Sequence, residues 1–237
     1  MKKKTSRFII LTLLLTSNLF LLSSPARAQK KDKETLKKEY KESPLYQGSW
    51  VGLEILGAGN YLLGGDFFST EIIFQSNLKN RFLPVLEVGY GKTDATNNTN
   101  NLHYKTSAPY FRIGMDYNIF YLKPYLPGFL FGGLRFGMTS FSYDVDGPTM
   151  QDPNYGGVIT VPFSYTGLKS NANWLELVLG IKVKIYKRFN MGWTVRYKLR
   201  MNAKEHPNSQ PWYIPGYGKN NSNSFNLMYN LIYDLPF

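Results

Sequence analysis

Few residues in this chain have the type and spacing that chemistry requires. There are two histidines, His103 and His206, and no cysteine. A hydrolytic centre would need one of those histidines to meet a serine and an acid such as Asp94 or Glu205. No spacing selects such a set, so no catalytic residue is assigned. Two isolated histidines without cysteine give no transition-metal signature and imply no cofactor. Asp144, Asp146 and Asp152 offer the oxygen donors that calcium takes. Pro148 and Pro153 interrupt that run and EF-hand spacing is missing, so it reads as a polar loop with no metal. The remaining charged set is larger: Glu54, Glu71, Glu87, Asp116 and Glu176 with Arg112, Arg135, Lys182, Lys184, Arg196, Lys198 and Arg200. Gathered in one place, these groups would make an ion-pair network. A proton relay is the sharper reading of the same residues, and structural networks perturb proton affinities as well.

The positions of those residues depend on the elements that carry them. The chain opens with Lys2, Lys3, Lys4 and Arg7, continues through an apolar stretch from Phe8 to Leu22, and reaches Pro25-Ala26-Arg27-Ala28. That is the pattern of a secretory signal peptide over residues 1–28, with cleavage before Gln29. Five of the 28 Lys and Arg and none of the 16 acids lie in it, which leaves 23 bases against 16 acids, a net charge of +7. A moderate charge on an exported chain argues against nucleic acid as a partner. No later segment holds the ~20 apolar residues of a membrane-crossing helix, so any crossing must be made by strands. Residues 29–47 read as a charged, mobile periplasmic leader, briefly helical over residues 34–40.

From Gly48 onward apolar and polar residues alternate with a period of two, and no helical period competes. The alternation predicts eight strands, at 49–57, 67–77, 82–92, 108–121, 129–143, 172–186, 191–201 and 224–237. In the seventh, Met191, Trp193, Val195, Tyr197, Leu199 and Met201 share one face, while Thr194, Arg196, Lys198 and Arg200 share the other. Several strands reach the ~9–11 residues that a tilted crossing requires. The connections at 77–81, 122–128 and 187–190 are short; those at 93–107, 144–171 and 202–223 are long. Short periplasmic turns alternating with long extracellular loops are the order of an outer-membrane barrel. An even strand number puts both chain ends in the periplasm.

Alternation alone does not say which face is the lumen. Gly52, Gly89, Gly91, Gly114, Gly133, Gly137, Gly180 and Gly192 share a face with the charged set. Glycine suits a crowded interior, so the charged face is the inner one, although Gly57 and Gly132 fall on the other. An eight-stranded lumen is just wide enough for its own side chains. The charges should therefore neutralise one another and fill it rather than line a water channel. In the last long loop, Pro211-Trp212-Tyr213-Ile214-Pro215-Gly216-Tyr217 places aromatics on a proline-stiffened segment. Trp212, Tyr213 and Tyr217 suit contact with a partner protein or glycan, and a loop folded over the barrel mouth accounts for them equally well.

The last strand is the most specific feature. Phe225, Leu227, Tyr229, Leu231, Tyr233, Leu235 and Phe237 alternate up to the final residue. This ending resembles the terminal strand of outer-membrane β-barrels, which closes on an aromatic residue. The resemblance implies that Tyr229, Leu231, Tyr233, Leu235 and Phe237 are read by the barrel-assembly machinery of a Gram-negative cell. Topology and ending together resemble the small OmpA/OmpX-like barrels, and more closely an uncharacterised outer-membrane barrel family without an assigned activity. The expectation is an all-β, eight-stranded antiparallel up-and-down transmembrane β-barrel over residues 48–237, in contact with outer-membrane lipid. Its expected role is non-enzymatic, as a structural protein or an accessory subunit with an outer-membrane protein partner. The rivals are an enzyme acting on lipid or peptide at the extracellular rim and a small-molecule channel or binding barrel; strand number and interior charge disfavour the last. If the terminal residue is an assembly signal, deleting Phe237 lowers the yield of membrane-inserted, heat-modifiable protein on gels far more than the loss of one buried side chain accounts for.

Overall fold

The computed structural model describes residues 33–97, 101–148, 150–151, 160–161, 163–204, 206–207 and 209–236. The expected signal peptide, Phe237, Asp152 and Glu205 lie outside them. The first element is a helix, α1 (Lys33–Glu42). Then follow β1 (Tyr46–Glu54), a second helix α2 (Leu56–Leu62), β2 (Phe67–Leu78), β3 (Phe82–Asn97), β4 (Leu102–Asn118) and β5 (Gly128–Asp146). Two short strands, β6 (Met150–Gln151) and β7 (Thr160–Val161), precede β8 (Ser164–Tyr186) and β9 (Phe189–Ala203). The chain ends with β10 (Tyr213–Ile214), β11 (Gly218–Lys219) and β12 (Asn223–Asp234). Eight of these strands close a barrel in the order β1, β12, β9, β8, β5, β4, β3, β2, every neighbour antiparallel. Closure matters because hydrocarbon offers no partner to an unpaired backbone group.

Register sorts the side chains by face. One cross-strand row runs Val51, Phe74, Leu86, Ile113, Phe136, Leu175, Leu199 across seven strands, all pointing outward. Ile113 and Leu179 are more than half exposed. An outer surface of that composition is stable against lipid and aggregates in water. The inward faces carry two apolar clusters separated by charge. Tyr104, Tyr110, Tyr143, Trp174, Ile214 and Tyr217 belong to the cluster at the loop end; Trp50, Leu83, Phe131 and Val178 form the one at the turn end. A Cβ on Gly89 would run into the Tyr110 ring, and one on Gly137 into the Trp174 indole. These glycines are where the largest inward rings find room.

Four sequence expectations change. The strands are longer than the pattern indicated, β5 having 19 residues and β8 having 23, well past the ~9–11 of a crossing. Much of the expected loops at 93–107 and 144–171 is therefore paired strand rising above the membrane. There the outward face is polar, as at Lys105 and Lys169, and the alternation is less marked. The second change concerns β1, which stops at Glu54 instead of continuing to residue 57. Residues 56–62 form α2, and a Cβ at Gly57 would strike the Ser69 backbone, so the helix lies tightly against β2. Third, the described part of the leader is docked. Tyr40 packs edge-on against Tyr121 at 5.2 Å, and the Lys79 amide donates to the Leu45 carbonyl at 2.8 Å. Fourth, Lys184 is exposed at the turn end and takes no part in the lumen.

Filling the Gly137 position tests the close packing directly. Gly137→Val forces the Trp174 indole to move and should cost about 1–3 kcal/mol. A lowered urea midpoint of the folded barrel is the expected result.

Candidate functional site

Cross-strand register places acids opposite bases in the middle of the barrel. Glu87 lies opposite Arg112, Arg135 opposite Glu176, and Glu176 opposite Lys198. Arg196 grips Glu87 with both terminal nitrogens, at 2.7 and 3.0 Å, and reaches Glu71 at 2.7 Å and Glu176 at 3.2 Å. Arg112 bonds Glu71, lies 3.2 Å from Glu87, and sets its Nε 2.7 Å from Glu176. Arg135 donates to Asp116 at 2.7 Å, and Gln75 donates to the same carboxylate oxygen at 2.8 Å. These side chains are almost fully buried, and the three guanidiniums with Lys198 balance the four carboxylates. A neutral, mutually bonded set is what makes such burial tolerable. The layer packs the middle of the lumen with paired side chains.

A strap closes the loop end above it. The Gly216 carbonyl accepts from Arg112 Nη2 at 2.8 Å and from Lys198 Nζ at 2.7 Å. Tyr104 donates to the Tyr213 carbonyl at 2.8 Å, and Tyr143 to that of Ser209 at 2.6 Å. Gly216 has φ of +80° with the Tyr110 ring against its Cα, so any side chain there is strained twice over. Tyr213 and Tyr217 are thus buried in the mouth, and Trp212 packs on Phe67 and Tyr104. Of the two readings of this loop, the geometry is that of the segment folded over the barrel mouth. Tyr213 and Tyr217 pack into the interior, and the Gly216 and Tyr217 carbonyls accept from N–H groups of Arg112 and Lys198 that no carboxylate takes.

Other expected lumen residues fall elsewhere. Lys182 pairs with Asp234 at 2.7 Å beside the Trp50 ring, below the central layer. Arg200 bonds Asn220 in the strap segment rather than a carboxylate. Among the described residues Glu54 forms no ion pair: Oε1 accepts the Gly57 amide at 2.9 Å and Oε2 is buried without a hydrogen-bond donor. In the last strand, Leu231 and Tyr233 face outward, whereas Tyr229 is buried, its ring tilted against that of Trp193 at 4.6 Å near the end of β1. Sequence reasoning missed Gln75, Asp234 and Trp174, whose Nε1 donates to Glu176 at 2.6 Å. Gln75 and Asp234 stand on the inward phase of their strands, two residues from Ile73 and Ile232, so the alternation could have found them.

The lumen is also not filled throughout. A cavity of about 780 Å³ lies beside the strap, with Glu54, Leu63, Phe67, Lys198, Met228 and Tyr229 among its walls. Among the expected site residues it also touches Glu71, Arg112, Tyr213 and Tyr217. Filled-lumen packing therefore holds for the charge layer and fails beside α2. On the exposed hairpin of β3 and β4, His103 Nε2 sits 2.8 Å from Asp94.

Over residues 5–237 the sequence matches the family described as Domain of unknown function (DUF6048). The chain belongs to that family. Three solved structures are similar to this DUF6048 chain. Neisserial surface protein A is 12% identical with a TM-score of 0.46, and the match covers 80% of this chain and 99% of that one. Ail, the attachment invasion locus protein of Yersinia pestis, solved with the heparin analogue sucrose octasulfate, is 7% identical with a TM-score of 0.42, covering 80% and 99%. A major outer membrane protein from Thermus thermophilus is 12% identical with a TM-score of 0.44, covering 81% and 100%. No curated protein matches the sequence. The closed antiparallel barrel with its apolar belt makes this DUF6048 member an integral outer-membrane protein with lipid against its strands.

Two variants separate the charge layer from the strap. Arg196→Ala leaves three carboxylates short of a partner and should cost on the order of 3–5 kcal/mol in urea unfolding. Gly216→Val should leave a heat-modifiable barrel but expose residues 204–222 to protease, because the carbonyl that Lys198 and Arg112 hold is displaced.

Proposed function

We propose that this protein is a non-enzymatic outer-membrane barrel acting as a structural element or accessory subunit of a larger outer-membrane assembly. The observation that carries this reading is the charge layer. Glu71, Glu87, Asp116 and Glu176 with Arg112, Arg135 and Arg196 form a buried, mutually paired set inside the barrel, which suits a stable plug better than a conduit. The outward face is committed to lipid and the strap to the mouth. That leaves α1, the raised hairpin of β5 and β8, and the β3–β4 tip as surfaces free for a protein partner. The docked Tyr40 of α1 would give such a partner a fixed periplasmic platform.

One observation favours the enzymatic rival. His103 and Asp94 form the orienting half of a hydrolytic set on the extracellular hairpin, each about two-fifths exposed. A nucleophile in contact with that pair would be the missing member.

Reconstituted protein should give no steady single-channel current in planar bilayers. Purified in mild detergent from membranes, it should carry a specific outer-membrane protein that is lost when residues 30–42 are deleted or the tip of the β5–β8 hairpin is shortened, with heat-modifiability retained. Steady currents would remove the plug reading. A lone barrel in every preparation would reduce the role to structure alone, and loss of a membrane lipid or peptide modification in His103→Ala would replace it with the rim enzyme.

A further inference from the structure

The barrel is closed, but its closing seam is short. β1 and β12 pair only from Trp50 opposite Asp234 to Glu54 opposite Asn230. β1 also leaves β2 at Leu53, which lies opposite Ile72. β12 continues through residues 223–229 with β9 on one side and no strand on the other, and residues 67–71 of β2 likewise lack β1. Helix α2 occupies that gap, but unevenly. It is bound to β2, with Gly57 against Ser69, Tyr61 edge-on to Phe68 at 5.6 Å, and Thr70 donating to the Glu54 carbonyl at 3.2 Å. Toward β12 the Ile55 amide donates to the Tyr229 carbonyl at 3.1 Å, and above that bond the 780 Å³ cavity lies between helix and strand.

The cavity has a floor of charge, a roof of strap and walls that are mainly apolar, Leu56, Leu63, Phe67, Leu227, Met228 and Tyr229 among them. Its size is that of a pocket for a whole small ligand. The surface flanking the seam is as apolar as the belt: Leu62 is 85% exposed and Phe225 70%. Lipid, not water, is the favoured neighbour of such residues, so the gap between α2 and β12 opens on hydrocarbon. Inside it, a carboxylate oxygen lacks a hydrogen-bond donor. Glu54, itself 3% exposed, lines the cavity, and no donor among the described residues reaches its Oε2. A buried carboxylate oxygen left without a donor is costly, and an incoming O–H or N–H would relieve it.

We infer that the seam between α2 and β12 is a lateral binding site for a long-chain amphiphile of the membrane, whose alkyl chain fills the cavity and whose hydroxyl or ammonium group donates to Glu54. Arg112 is held by Glu71 and the Gly216 carbonyl and Lys198 by the Gly216 and Tyr217 carbonyls, whereas the open Glu54 oxygen repels a carboxylate head and accepts from a donor. The site thus selects donors over carboxylates. It stands independently of the subunit reading, since a bound lipid neither requires nor prevents a protein partner.

Gly59 supplies the test. It lines the cavity, and a Cβ there meets nothing within 4 Å, so Gly59→Phe fills the space without touching the charge layer. The folded protein is reconstituted in phosphatidylcholine vesicles doped with hexadecanol, hexadecylamine or palmitate, released in mild detergent, and weighed by native mass spectrometry. Wild-type barrel should retain one hexadecanol or hexadecylamine in preference to palmitate by about tenfold or more, the value of one buried hydrogen bond. Gly59→Phe, still heat-modifiable, should lose that adduct. Glu54→Gln, which can donate as well as accept, should hold palmitate as well as hexadecanol. An adduct that survives in Gly59→Phe, a wild-type barrel that retains none of the three, or equal retention of palmitate by wild type overturns the site.

Discussion

The charge layer in the middle of the barrel is the interaction on which the other parts depend. Three guanidiniums and Lys198 face four carboxylates in a space walled by the barrel strands and, beside β12, by helix α2. Each charge is tolerable only while its partners stay within hydrogen-bond distance, because removing any one leaves another buried without compensation. The layer therefore fixes which residues must be opposite one another, and so fixes the register of β3, β4, β5, β8 and β9. A slip of one residue would send the whole charged set into lipid and the apolar belt into the lumen. It also holds the strap, since Arg112 Nη2 and Lys198 Nζ donate to the Gly216 and Tyr217 carbonyls.

Glycine and aromatic residues are complementary in this arrangement. The lumen of an eight-stranded barrel leaves no room for bulky side chains at every inward position. Tyr110 lies over Gly89 and touches Gly216, and Trp174 lies over Gly137, so each large ring takes its volume from a neighbouring position that has none. The rings then supply the donors that finish the charge layer: Trp174 to Glu176 and Tyr110 to Glu71. Packing and polar satisfaction are met by the same side chains where Trp174 and Tyr110 border the charged belt.

The first connection departs from this regularity. Everywhere else the wall is continuous strand, but beside β12 it is a seven-residue helix containing two glycines. Helix propensity cannot account for it, since glycine costs about 1 kcal/mol per position relative to alanine. What α2 gains is contact: glycine lets it approach β2 more closely than any other residue would, and Glu54 takes the Gly57 amide. The cost is an incomplete seam and one carboxylate oxygen without a donor, and both features face the same cavity.

Strand number, the outward apolar face, the inward charged face and the alternation of short turns with long connections were all determined by the sequence. They follow from a period of two, which any tilted strand with one face in lipid must show. The membership of the charge layer was largely legible for the same reason: Glu71, Glu87, Glu176, Arg112 and Arg196 lie on the inward phase of their strands wherever those strands are placed. Tertiary structure alone decided who pairs with whom, because register and barrel shear bring together residues as distant as Glu71 and Arg196. It also decided that Tyr213 and Tyr217 turn inward, since a loop sequence does not reveal that unsatisfied cations wait beneath it. The same holds for residues 56–62, whose composition favours neither strand nor helix and whose conformation is set by the surface of β2.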